Sequence, residues 1–162
     1  MPTNYESSFG AITFHLSKKE KQSITFGISI GVPKFGYPND VRTNKESIAL
    51  IDTGATCSAI SRRFAENAHL RPIGRYKIHG FDKISIVPVY NVDIILPKGI
   101  AFKNLEVGQF DTIFNFDCII GMDILRRGDM ALTNAKDEMV FTFRIPPAET
   151  HIDFAEEEKN KQ

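Results

Sequence analysis

Apolar residues occupy every second position in several short stretches of the chain, which is the spacing typical of a half-buried β-strand. Two such stretches lie early in the sequence, at residues 9–16 and 23–32, on either side of a charged segment. Their apolar faces would carry Ile12, Phe14 and Leu16 in the first stretch, and Ile24, Phe26, Ile28 and Ile30 in the second. We expect these two strands to form a hairpin. We expect residues 31–44, which contain several proline, glycine and asparagine residues, to form a loop.

Further short strands, separated by turns, follow along the chain. They are predicted at residues 47–52, 57–60, 100–107, 130–133 and 139–145, with a long hairpin inside residues 73–96. Ser61 is predicted to cap a helix over residues 62–69, and a second short helix is predicted over residues 122–127, ended by Gly128. Many short strands with two brief helices predict an all-β closed barrel.

Size and composition narrow the class of protein. A length of 162 residues favours one domain. We place it at residues 1–147, followed by a polar C-terminal tail at residues 148–162 that is mobile or forms a short helix. The 20 Lys and Arg residues balance the 20 Asp and Glu residues, so the net charge gives no indication of nucleic-acid or membrane binding. No apolar run approaches the ~20 residues of a membrane span.

The polar start of the sequence lacks the apolar core of a signal peptide, and a cytoplasmic protein is therefore expected. Two cysteines, Cys57 and Cys118, are fewer than a disulfide-stapled secreted domain normally carries. We expect both to be buried thiols rather than a disulfide. The four histidines show no metal-ligand spacing, so we expect no metal and no other cofactor.

The most informative stretch is an apolar run that ends in Asp52-Thr53-Gly54-Ala55. The run Ile48-Ala49-Leu50-Ile51 predicts a buried strand, and a carboxylate at the end of such a strand is costly to keep charged unless hydrogen-bond donors compensate it. Thr53 supplies a hydroxyl, and Gly54 permits close approach of another backbone. The alternative interpretation is an ordinary turn with an exposed aspartate.

A second motif, Cys118-Ile119-Ile120-Gly121, lies 121 − 52 = 69 residues beyond Asp52 and precedes a short helical pattern. Together the two motifs resemble the retropepsin-like (retroviral-type) aspartic proteases of the cellular and bacterial branch, over residues 46–143. The resemblance implies a closed acid-protease barrel with one lobe per chain, in which Asp52 is catalytic. It also implies that Thr53, Gly54 and Ala55 support the active-site loop. The segment Ile119, Ile120 and Gly121 would then pack beside that loop.

The resemblance further implies a flap that folds over the substrate. It would comprise Ile78, His79, Gly80, Phe81 and Asp82, although retroviral flaps carry more glycine at the tip than Gly80 alone. Two other positions depart from the retroviral pattern. Thr56 and Met122 stand where retroviral enzymes carry an aspartate and an arginine, so the ion pair that braces the retroviral dimer is not expected here.

Metal-free hydrolysis of a peptide bond needs two neighbouring carboxyl groups, one to activate water and one to protonate the carbonyl oxygen. The chain has one Asp-Thr-Gly sequence, because Asp111-Thr112-Ile113 lacks the glycine. We therefore expect a homodimer in which two copies of Asp52 meet at the two-fold axis and act on a peptide or protein substrate. Ala55 replaces a serine or threonine of many pepsin-like enzymes, which predicts activity at mildly acidic to neutral pH.

Two alternatives to an aspartic endopeptidase remain. The first is a non-catalytic module with the retropepsin fold that binds peptides or dimerises. The complete Asp52-Thr53-Gly54-Ala55 sequence argues against it. The second is a different, metal-dependent hydrolase on the same scaffold, against which the lack of a His/Cys/Glu ligand cluster argues.

Overall fold

The computed structural model describes residues 10–17, 23–34, 36–38, 41–79 and 84–159. The strands are β1 (Gly10–Ser17), β2 (Thr25–Pro33), β3 (Arg42–Ile51), β4 (Ala59–Ser61), β5 (Gly74–His79), β6 (Ile84–Ile95), β7 (Ala101–Phe110), β8 (Cys118–Ile120), β9 (Asp129–Ala135) and β10 (Glu138–Ile145). The helices are α1 (Arg62–Asn67), α2 (Met122–Leu125) and α3 (Phe154–Lys159), and a 3-10 turn lies at Pro97–Gly99.

Six strands close into a barrel, in the order β2-β3-β8-β4-β7-β6 and back to β2. The β2–β6 pairing, which joins Ile30 to Ile94, completes the ring. β5 pairs only with β6 among the described strands, so the β5–β6 hairpin extends the sheet beyond the ring. The predicted all-β closed barrel is confirmed. Its interior is filled by fully buried aliphatic and aromatic side chains: Ile30, Ile60, Val92, Ile94, Phe102, Val107 and Ile120.

β8 is inserted between β3 and β4, and this insertion positions the two sequence motifs. β8 runs parallel to β3, with Leu50 opposite Ile119 and Ile51 opposite Ile120. It runs antiparallel to β4, with Ala59 opposite Ile119. Parallel neighbours need a long connection, and here residues 52–117 supply it. The ends of β3 and β8 therefore lie side by side.

A second sheet of three strands, in the order β1-β10-β9, covers one side of the barrel. Phe26 of β2 links the two sheets because its ring stacks on Phe14 of β1, with a centroid distance of 4.1 Å, and on Phe141 of β10, at 6.4 Å. Stacked aromatic side chains bury a large apolar area and can add a favourable ring–ring interaction. The small sheet is thus fixed to the barrel through three aromatic side chains.

The predicted hairpin of the first two strands is wrong. β1 pairs with β10, so that Ile12 lies opposite Phe143 and Phe14 opposite Phe141. β2 pairs instead with β3 and β6. The apolar face of β1 finds its match in a strand more than a hundred residues away, because cross-strand burial outweighs proximity along the chain.

The predicted loop at residues 31–44 is too long at both ends. β2 continues to Pro33 and β3 begins at Arg42, and these two residues pair with each other. The first half of β3 is polar and largely exposed, so it lacks the apolar alternation that marks a half-buried strand. Pairing with β2 makes it a strand nonetheless, supported by the Ser29 Oγ–Glu46 Oε1 hydrogen bond of 2.6 Å.

Other local predictions are confirmed. Ser61 caps α1, and its side chain accepts a hydrogen bond from the Phe64 amide. α1 ends at Asn67, two residues before the predicted end, and α2 ends at Leu125 inside its predicted range. β9 and β10 form the predicted last hairpin. Of the two states allowed for the C-terminal tail, the structure shows a helix, α3. Among the described residues, no helix has the length and apolar character to cross a membrane.

Replacing Phe26 with alanine should lower the free energy of unfolding by about 3–5 kcal/mol, because it removes a buried ring and leaves a cavity between the two sheets. Urea denaturation followed by circular dichroism measures this change. Ile86→Ala is the matched control, since Ile86 is 62% exposed, and its effect should stay within about 0.5 kcal/mol. Equal effects of the two substitutions would contradict the role of Phe26 as the link between sheets.

Candidate active site

Asp52 directly follows β3 and begins a tight turn. Its Oδ1 atom accepts a hydrogen bond from the Gly54 amide at 2.8 Å, and its carbonyl oxygen accepts one from the Ala55 amide at 3.2 Å. The carboxyl group is half-buried, while Thr53 and Gly54 are exposed. The turn therefore supplies the carboxylate with a backbone donor and leaves it accessible from outside the chain.

The second motif lies against this turn. The Asp52 amide donates to the Ile120 carbonyl oxygen at 3.1 Å, which extends the β3–β8 ladder by one residue. The Met122 amide donates to the Ala55 carbonyl at 2.8 Å, and the Asp123 amide donates to the Thr56 carbonyl at 3.1 Å. The structure thus brings both predicted motifs together, and the start of α2 holds the loop that carries Asp52.

Gly121 is required at this contact for space rather than for conformation. Its φ angle of −96° is accessible to any residue. However, a Cβ atom at this position would lie 2.7 Å from the Cys57 carbonyl carbon and 2.9 Å from the Ala55 carbonyl oxygen. Only a residue without a side chain lets the loop approach the end of β8 this closely.

Sequence reasoning missed Ser58 and Asp123 as parts of this site. Ser58 is 1% exposed, and its backbone amide and side-chain hydroxyl donate to Asp123 Oδ1 at 2.9 and 2.7 Å. Two local signals existed, namely a serine within an apolar stretch and an aspartate in the first turn of a predicted helix. Their contact across 65 residues could not be deduced from either signal.

Another serine–aspartate pair holds the opposite ends of β4 and β8. Ser61 Oγ donates to Asp117 Oδ1 at 2.5 Å, and Arg63 Nη2 donates to the same oxygen at 2.7 Å. The Asp117 amide in turn donates to the Ile48 carbonyl oxygen of β3 at 3.0 Å. Asp117 therefore joins three segments at the start of β8.

The predicted flap is described only in part. Ile78 and His79 end β5, and Ile78 pairs with Ser85 across the hairpin. Gly108 of β7 leaves room for this hairpin, because a Cβ there would lie 3.3 Å from Ile78 Cδ1. Gly80, Phe81 and Asp82 lie outside the described residues. The structure therefore places the base of the hairpin over β7 and describes nothing of its tip.

An open apolar cavity of about 420 Å³ lies beside the second motif. Ile119 of β8 forms part of its wall, and Ile113 and Phe114 in the β7–β8 connection are exposed. Its lining consists of Phe110, Asp111, Thr112, Ile113, Phe114, Phe116 and Ile119. The available signal was the run of aromatic residues before the second motif.

The two cysteines differ in environment, and the prediction of two buried thiols is wrong for Cys57. Both are free thiols. The Cys118 side chain is buried in the barrel core, whereas Cys57 is exposed in the loop after Asp52. Burial strongly raises the pKa of the Cys118 thiol. Partial desolvation raises the pKa of the Cys57 thiol most, and the negative charge of the nearby Asp123 carboxylate raises it further. Among the described residues, no three or more His, Cys, Asp or Glu side chains are grouped so that they could hold a metal ion.

Comparisons with known proteins gave one family model and several similar solved structures. The family model described as "gag-polyprotein putative aspartyl protease" matches residues 40–127. The chain is similar to a retropepsin-like aspartic protease from Rickettsia conorii, with 17% identity, a TM-score of 0.48, and coverage of 86% of this chain and 98% of that chain. It is also similar to the retroviral protease-like domain of Ddi1 from Leishmania major, with 18% identity, a TM-score of 0.38, and coverage of 65% and 78%. No curated protein matches the chain significantly.

Replacing Gly121 with alanine should displace the Asp52 loop and lower the free energy of unfolding by about 1–3 kcal/mol, because the new methyl group overlaps backbone atoms that cannot rotate away. Urea denaturation measures the loss. Gly27→Ala is the matched control, since a Cβ at Gly27 meets no atom within 4 Å. A Gly121→Ala protein as stable as the control would show that the loop contact is looser than described.

Ellman's reagent should label one thiol per chain in the native protein and two after denaturation. Cys57 is accessible, whereas Cys118 is buried and its raised pKa keeps it protonated. Because the pKa of Cys57 is also raised, native labelling should quicken as the pH rises from about 7 to about 9 and the thiolate fraction grows. Labelling of two thiols, or of none, in the folded protein would contradict this assignment. Cys57→Ser is the control that identifies the reactive residue.

Proposed function

The chain belongs to the retropepsin-like family of gag-polyprotein putative aspartyl proteases, and from this membership we propose that it is an aspartic endopeptidase that acts as a homodimer. Asp52 is the proposed catalytic residue. Thr53, Gly54 and Ala55 are proposed to support its loop, with Ile119, Ile120 and Gly121 packed behind it. The proposed substrate is a peptide or protein, and no cofactor is required.

One observation carries the proposal. Asp52 is held at the end of β3 with a backbone donor on Oδ1, beside the exposed residues Thr53 and Gly54. The chain contains one Asp-Thr-Gly sequence and therefore supplies one of the two carboxyl groups that the chemistry needs. A two-fold axis next to the exposed face of the turn would bring in the second Asp52, and an isologous contact satisfies both chains at once.

The reaction would proceed by acid–base catalysis across the pair. One Asp52 carboxylate removes a proton from water as the water oxygen bonds to the peptide carbonyl carbon, and the partner's Asp52, protonated, gives its proton to the carbonyl oxygen. Collapse of the tetrahedral species breaks the C–N bond: the leaving amine takes the proton from one carboxyl group, while a hydroxyl of the tetrahedral species returns a proton to the other as the product carboxyl group forms, so the pair again holds one proton. Like charges held close together cannot both ionise, so the two carboxyl groups share one proton.

The apolar cavity beside Ile119 supports binding of an apolar substrate side chain. Ile119, which lines the cavity, pairs with Leu50, which lies two residues before Asp52. The cavity and the carboxylate therefore lie on adjacent strands. The walls of the cavity are mainly apolar and open to the outside, so a hydrophobic side chain could pack against them. Ile78 and His79 are proposed to belong to a flap over the bound peptide, together with the segment at residues 80–82.

The second candidate function is a retropepsin-fold module that binds peptides or dimerises without cleaving them. The exposed residues Ile113 and Phe114 favour binding of some apolar group whether or not cleavage follows. The two proposals differ in one property only, which is hydrolysis that depends on Asp52.

Asp52→Asn should abolish cleavage of unfolded casein, with a loss on the order of 10⁴-fold, because the asparagine pair can neither take a proton from water nor share one. The wild-type rate should peak at mildly acidic to neutral pH and should be insensitive to chelators. Asp137→Asn, in the exposed β9–β10 turn, is the matched control and should keep full activity. Full activity of Asp52→Asn, or a rate maximum below about pH 3, would contradict the proposed dyad.

A mixing titration separates a shared site from a site within one chain. Excess Asp52→Asn protein added to wild-type protein should form mixed dimers and reduce activity per wild-type chain towards zero, while sedimentation reports the dimer mass. An unchanged rate per wild-type chain would show that one chain acts alone. A stable dimer that never cleaves from about pH 3 to about pH 8 would favour the non-catalytic module.

A further inference from the structure

The carboxyl group of Asp123 accepts three hydrogen bonds on a single oxygen. Oδ1 accepts from the Ser58 amide at 2.9 Å, from the Ser58 hydroxyl at 2.7 Å and from the Ile124 amide at 3.0 Å. Two of these donors belong to the segment that leads out of the Asp52 loop, and the third belongs to α2. One atom therefore fixes the distance between the loop and the helix.

Ser58 also forms a hydrogen bond with the second motif. Its Oγ atom accepts a hydrogen bond from the Gly121 amide at 3.1 Å while it donates to Asp123. Ser58 is 1% exposed, so water cannot readily replace either bond. The loop at residues 52–58 is consequently held at both ends, by the Asp52 amide on Ile120 at one end and by Ser58 on Asp123 at the other.

The positions that carry the retroviral ion pair are uncharged in this chain. Thr56 and Met122 hydrogen-bond to the opposite segments through backbone groups, with the Thr56 carbonyl accepting from the Asp123 amide and the Met122 amide donating to the Ala55 carbonyl. A carboxylate is nevertheless present one residue further along α2, at Asp123, and it bonds to a serine two residues beyond Thr56. Ser58 and Asp123 thus supply a polar contact between the loop and α2.

We propose that Asp123 is a positioning residue that sets the geometry of the Asp52 loop through Ser58. The inference rests on the proposed catalytic role of Asp52. Because all three donors converge on one oxygen, what matters is an acceptor at that point rather than a negative charge. Asparagine can present its carbonyl oxygen at the same place. Alanine removes the acceptor of both Ser58 donors, whereas the Ile124 amide keeps the Gly121 carbonyl oxygen at 3.2 Å.

Kinetics of four purified proteins test the proposal: wild type, Asp123→Ala, Asp123→Asn and Asp129→Ala. Asp129 is the matched control, because its carboxylate likewise accepts hydrogen bonds from a side chain and a backbone amide, those of Arg144 and Ala148, but on the small sheet. Asp123→Ala should lower kcat by up to about 100-fold, as expected for a misplaced catalytic group, with KM changed by less than about threefold. Asp123→Asn should restore kcat to within about fivefold of wild type, and Asp129→Ala should change stability without changing kcat.

Amide hydrogen exchange supplies a readout that does not depend on cleavage. In Asp123→Ala the amides of Gly54 and Ala55 should exchange faster than in the wild type, and in Asp123→Asn they should not. If the wild-type chain cleaves nothing, the proposed function fails, but this measurement still decides whether Asp123 holds the loop. The proposal would be overturned if amide exchange were unchanged in Asp123→Ala. It would also be overturned if folded Asp123→Ala protein had a kcat within about threefold of wild type. Equal losses in Asp123→Ala and Asp123→Asn would overturn it too, since charge and not acceptor geometry would then be responsible.

Discussion

The parallel pairing of β3 with β8 is the contact on which the rest of the structure depends. It sets Ile51 opposite Ile120 and lets the Asp52 amide continue the ladder onto the Ile120 carbonyl. Two motifs that are 69 residues apart in the chain thereby become neighbours. Without this pairing the barrel would not close, and Asp52 would lie at the end of a strand that is paired with β2 alone. The Gly121 backbone, which has no side chain to hold the loop away, makes the contact possible.

β4 is short, and two serine–aspartate pairs fix it against β8. Ser58 and Asp123 lie at one end of the two strands, and Ser61 and Asp117 lie at the other. Buried polar groups destabilise a fold unless they are hydrogen-bonded, and among the described residues no buried side-chain polar atom lacks a partner. These hydrogen bonds are directional, whereas apolar packing is not. They therefore fix the register of a three-residue strand that apolar packing alone would leave free to slip.

The part of the barrel wall formed by β8 and its neighbours contributes both to the core and to the candidate active site. Its inner face, with Cys118 and Ile120, belongs to the barrel core, and its outer face presents Ile119 to an apolar cavity. The carboxyl group of Asp52 emerges at its edge, half-buried and supplied with one backbone donor. A single chain thus offers one carboxyl group, an adjoining apolar surface and an exposed turn. This is half of the arrangement that peptide hydrolysis by paired carboxyl groups requires, and the reason why symmetry is central to the proposed function.

The sequence by itself determined the features that depend on neighbouring residues. The strand before Asp52, the Ser61 cap of α1 and the β9–β10 hairpin were all predictable, because short apolar runs, capping residues and short turns are local features of the sequence. Only the tertiary structure decided the partner of β1, the strand character of the polar residues that begin β3, the exposure of Cys57 and the contact between Ser58 and Asp123. Each of these depends on which distant segment buries a given face or completes a given hydrogen bond. That choice is made by the free energy of packing the whole barrel, and no short window of sequence contains it.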